Sequence, residues 1–235
     1  MRRKALMRTA LNRATPVLGI LVLATMAAAG PASARAGGSP PMPTHFSGLL
    51  NDYTPTSDSN TGNPISGSPY EMHGRWTLDL NAQRGTATFS AEMTMETSEV
   101  ANASSVFDPG SLGAHTHHIS VTDGVVHNLP TDWQTMCPAL KPAASGGFAV
   151  TGSMYLTANG SNPPFGNPSP VTICILGATG TGTSGTAYVQ YSNLTMTIGE
   201  KAAGHFGTAP IHGVVTRCGG RLGLAESPNC RVVVQ

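Results

Sequence analysis

Three histidines stand within four residues in Gly113-Ala114-His115-Thr116-His117-His118. Neutral imidazole is the commonest metal-ligating side chain, so this spacing is the first place to look for chemistry. If the segment begins a β-strand, His115 and His117 project from one face, roughly 6–7 Å apart along the chain. Two imidazoles so placed can converge on one ion with bonds of about 2.0–2.1 Å. His118 then points to the opposite face. Further on, Val121-Thr122-Asp123-Gly124-Val125 reads as a tight hairpin, because Asp-Gly suits the positive φ angles of a type I′ turn. In that register His127 faces Ser120, and His118 and His127 become diagonal neighbours on the second face. The candidate ligands are therefore His115, His117, His118 and His127, with a divalent ion such as zinc or copper. Imidazole ligation is expected to fade as pH drops through about 6.5, where the ring takes up a proton.

Copper has a further argument. Met72, Met93, Met95, Met136, Met154 and Met196 supply soft thioethers that suit Cu(I). Met93 and Met95, however, fall on an expected core face beside Phe89, where methionine also serves as packing. Two more histidines lie in His205-Phe206-Gly207 and Pro210-Ile211-His212-Gly213. They either reach a barrel mouth or belong to a tight corner whose glycines set the backbone. The competing reading of residues 115–118 is a polar strand start, hydrogen-bonded to loop backbone.

From Pro109-Gly110 to Gly124 the chain resembles the first cupin motif, which sets an H-x-H on a barrel strand. About fifteen residues are covered, and His115 and His117 carry the match. Val121 or Thr122 stands where that motif has a glutamate. Gly204, Pro210 and Gly213 are similar to parts of the second motif, without its histidine. The resemblance implies a metal-dependent barrel enzyme, with two of four ligands replaced.

Other motifs carry less. Gly180-Thr181-Gly182-Thr183-Ser184-Gly185 matches G-x-G-x-x-G, but a strand-like segment follows where a dinucleotide site needs a helix N-terminus. No G-x-S-x-G elbow occurs. Glu92, Glu96 and Glu99 read as a solvated strand edge and not as a glycosidase pair. No catalytic residue is assigned.

The elements that must position the histidines are strands. Trp76, Leu78 and Leu80 alternate with polar residues, and so do Phe89, Ala91, Met93 and Met95 across the turn at 81–85. The same period of two recurs through Phe148–Leu156, Val171–Ile175, Leu194–Ile198, 211–216 and 231–234. Only residues 200–203 read as a helical turn, ended by Gly204. With 28 glycines and 18 prolines, eight to ten strands imply a single antiparallel β-barrel or β-sandwich over residues 69–235. Residues 35–68, rich in Pro, Ser, Gly and Asn, read as an irregular arm.

Residues 1–34 read as a signal peptide. Arg2, Arg3, Lys4, Arg8 and Arg13 form a basic region, residues 17–29 an apolar one, and Ala32-Ser33-Ala34 a cleavage site. The apolar run is shorter than the about 20 residues that span a bilayer, so no membrane anchor is expected. The chain has 13 basic and 12 acidic residues; removing five basic ones with the leader leaves 8 against 12, a net charge of −4. Nucleic acid and anionic membranes call for basic patches and are not expected partners. A small ligand or metal ion is. Four cysteines in an exported chain point to two disulfides. Three pairings are possible, with Cys137–Cys174 and Cys218–Cys230 preferred because the second closes a Gly-rich loop. The functional expectation is an exported, periplasmic or secreted, binding protein. The alternatives are a cupin-like or small-molecule barrel enzyme, and a carrier holding an apolar ligand against Trp76, Phe89, Phe148 and Met154.

Overall fold

The computed structural model describes residues 42–54, 70–97, 115–137, 145–162, 167–199, 202, 205–219, 227–228 and 230–233. The expected leader lies outside them. Eight long strands dominate: β1 (His45–Tyr53), β2 (Tyr70–Asn81), β3 (Thr86–Thr97), β4 (His115–His127), β5 (Gly146–Ala158), β6 (Ser169–Thr181), β7 (Ala187–Ile198) and β8 (Ile211–Gly219). Each pairs antiparallel with the next in sequence, and β8 returns to pair with β1. The result is a closed up-and-down barrel, in which no long strand is left with an open edge. Two short strands, β9 (Ser227–Pro228) and β10 (Arg231–Val233), attach outside it to β8 and β7. This meander differs from the jelly roll of the cupins, whose strands follow Greek-key connections.

The period-two pattern explains why the barrel closes with a dry interior. On β2 and β3, Trp76, Leu78, Leu80, Phe89, Ala91, Met93 and Met95 are all buried, while their sequence neighbours face outward or lie part-covered. Phe46, Phe148 and Tyr191 meet in the middle, with ring centroids 5.3 to 6.0 Å apart. An eight-stranded barrel is just wide enough for side chains to fill. Trp76, Phe89, Phe148 and Met154 are among those fillers. The four residues expected to hold an apolar ligand pack the core instead.

Three expectations need correcting. First, the arm assigned to 35–68 contains a barrel stave, β1. Its flanks are rich in turn residues, and Gly48 interrupts the apolar face formed by Phe46 and Leu50. That gap has a cause. The Trp76 indole lies across Gly48 and Gly213, donating from Nε1 to the Leu49 carbonyl at 3.3 Å. A Cβ on Gly48 would overlap the Val214 carbonyl and sit 2.7 Å from Trp76 Cζ2.

Second, residues 121–125 form no hairpin. β4 runs straight through them, with one extra residue relative to both β3 and β5. Neither Asp123 nor Gly124 has the positive φ that a type I′ turn requires. The segment is a β-bulge. Asp123 Oδ1 accepts from the Ser153 backbone N–H at 2.9 Å, filling a gap that the bulge leaves in the ladder.

Third, a helix outside residues 200–203 is present: α1 (Pro130–Met136). Pro130 starts it and Asp132 sits in its first turn, both favourable at a helix N-terminus. Seven residues are too few to show a helical period. Trp133 packs with Ala149 and Leu176 on the outer face of β5 and β6, forming a second small core.

The disulfides are Cys137–Cys174 and Cys218–Cys230. The first ties α1 to β6. No helix among the described residues is long and apolar enough to cross a membrane.

Candidate metal centre

β4 begins at one end of the barrel with His115 and His117 on its inward parity. Across β3 their partners are Met95 and Met93. From the β7-to-β8 connection, His205 and Phe206 come to this same end, against His117. Ala202, His205 and Phe206 have helical backbone, and Gly207 leaves the helix at φ +77°. The stop expected at Gly204 lies outside the described residues. His205 itself has helical backbone and meets His115 and His117 of β4.

His205 Nε2 lies 3.0 Å from His117 Nε2 and 3.2 Å from His115 Nε2. Nitrogens bound at 2.0–2.1 Å to one tetrahedral ion lie about 3.3 Å apart, close to these two separations, and all the ligand atoms lie within 4.8 Å of one another. His117 Nδ1 donates to the Thr157 carbonyl at 3.1 Å. With that proton on Nδ1, the neutral ring presents its Nε2 lone pair to the cluster. Metal-ligating histidines are oriented by this kind of contact. Tyr70 packs edge-on to His115 at 5.2 Å, and Phe206 lies against His117 at 5.1 Å. Both aromatic rings are fully buried.

This setting keeps His117 and His205 uncharged. Burial pushes His117 down to about 4, helped by repulsion from His115 and opposed by the Thr157 carbonyl. Burial, then His117 and His115, push His205 down to about 3. Protonation is thus displaced well below the 6.5 expected from an exposed imidazole. A group whose folded pKa is lowered gives up stability as pH falls from its unfolded pKa toward its folded one. The metal-free protein should show a level thermal midpoint above about pH 6.5 and a falling one from there to about pH 4. A midpoint that stays level to pH 4 would contradict the neutral His117 and His205.

The other histidines are placed elsewhere. His118 is on the outward face of β4, opposite Glu92 and Thr157. His127 is at the far end of the same strand, beyond the bulge, with Nε2 2.9 Å from Thr151 Oγ1. Neither meets the other, because β4 does not fold back. His45 and His212 are paired with Asp79 and Asp52 at 2.9 and 2.8 Å, and His73 is exposed. Of the four histidines proposed from sequence as ligands, the structure brings together His115 and His117, and adds His205.

This combination of fold and site defines a closed antiparallel barrel with a three-imidazole cluster at one end. Compared with known protein families, curated proteins and solved structures, the chain has no match in any of the three.

Proposed function

We propose that this is an exported metal-binding protein, holding one transition-metal ion through the Nε2 atoms of His115, His117 and His205. The observation that carries the reading is the convergence of three imidazoles, His117 buried and His115 and His205 part-buried, whose ligand atoms lie within 4.8 Å of one another. Histidines that serve only as polar strand residues have no physical reason to gather this way, since burying them costs their hydration. Export is supported by the leader-like first 34 residues, and the two disulfides suit an oxidising compartment.

The test is a single preparation: the protein recovered from periplasm or medium, analysed for metals and by native mass spectrometry. One equivalent of a transition metal and an N-terminus at or near Arg35 are expected. Protein that begins at Met1 would refute export, and protein that neither carries nor takes up Zn(II) or copper would refute the site.

A further inference from the structure

The neighbours of the three imidazoles bear on which ion they hold. Directly opposite His115 on β3 is Met95, and opposite His117 is Met93. Met72 on β2 is in turn opposite Met95. All three are at most 1 % exposed and share the barrel interior with the histidines. Side chains directly opposite on one face have Cβ atoms about 4.5–5.5 Å apart. The His115 ring also contacts Tyr70 on β2, which is opposite Thr97, so the imidazole reaches across β3 beside Met95. A thioether there lies within reach of an ion bound to His115.

Charge points the same way. The buried polar side chains among the described residues are Thr54, His117, Ser169 and Thr195, and none is a carboxylate. Asp52, at this end of the barrel, is engaged with His212 on the rim. Glu71 and Glu96 alternate with inward-facing Tyr70, Met72 and Met95 and so have outward parity. The cation would therefore keep its full charge in a part-buried, largely apolar site. The cost of removing an ion from water grows with the square of its charge, so enclosing a monovalent ion costs about a quarter of what a divalent one of similar size does. Thioether and imidazole, both neutral and one soft, suit a soft monovalent ion.

Resting on the histidine site proposed above, we infer that its ion is Cu(I) and that the Met95 thioether is the fourth ligand. The binding is a ligand exchange, with no change of oxidation state.

The experiment is anaerobic competition for Cu(I) against bicinchoninate at pH 7, alongside Zn(II) titration. Wild type, Met95→Leu and Met154→Leu are compared, the last being a buried methionine opposite Val121 and Ser169. Losing one soft ligand should weaken Cu(I) roughly tenfold or more in Met95→Leu while leaving Zn(II) within about twofold. Met154→Leu should match wild type. X-ray absorption of the Cu(I) protein should show a sulfur shell that Met95→Leu lacks. Protein grown with selenomethionine gives the same readout without a substitution, as a copper–selenium shell. A Cu(I) site with nitrogen scatterers alone, or tighter Zn(II) than Cu(I), overturns this inference and leaves the histidine site standing. Binding of neither ion overturns both.

Discussion

Replacing His205 with alanine is expected to lower transition-metal affinity by about a hundredfold or more. Loss of a mere supporting contact to a ligand already costs about 10–100-fold, and His205 is itself the imidazole that both others approach. His117→Ala should be as severe, since it removes the most enclosed ring together with its Thr157 tether. His118→Ala and His127→Ala should bind as wild type, because both rings lie outside the barrel. Calorimetric titration of the four variants distinguishes the outcomes. If His205→Ala bound metal as wild type does, the centre would not be the one described. If His118→Ala were the damaging change, ligation would have to occur on the outer face.

Gly48→Ala should be among the most damaging single-methyl changes in the barrel, with Gly74→Ala and Gly177→Ala. The added carbon meets backbone at Val214 and the Trp76 indole together, and neither is the free end of a flexible chain. Overpacking of this kind costs about 1–3 kcal/mol where neighbours can shift, so a loss of about 3 kcal/mol or more is expected here. Gly182→Ala is the comparison. Its nearest neighbour would be 3.5 Å away, in the β6–β7 turn, and its effect should stay within about 0.5 kcal/mol. Urea unfolding of the two variants measures both. Equal midpoints would mean that the indole does not rest on Gly48.

Strands with a dry and a wet face were readable in the sequence because period-two alternation is a local property. β2, β3 and β5 to β7 follow it closely. β1 escaped because its face is broken by the glycine that receives Trp76, a requirement imposed from 28 residues away. The bulge escaped because Asp-Gly is equally at home in a turn. Only the need of β4 to pair on both sides decides between them. His115 and His117 were legible as a pair by their spacing. Their third partner was not, since His205 is 88 residues from His117 and becomes its neighbour only when the barrel closes. The available signal was the isolated His205-Phe206-Gly207 triplet, which marks an unusual corner without saying what it faces.

The extra residue in β4 has a consequence for how this strand tolerates change. In an uninterrupted strand, parity is inherited along the whole length, and His127 would share the inward side of His115 and His117. The bulge resets the count at residues 122–124, so the two halves of the stave are phased independently. A one-residue insertion or deletion inside the bulge is taken up there as a larger or smaller bulge, leaving each half paired as before. The same event between His117 and Val121 would leave His115 and His117 facing outward or the core half misaligned. The bulge is therefore the one place along β4 where length can be adjusted while the imidazole-bearing end keeps its register with β3.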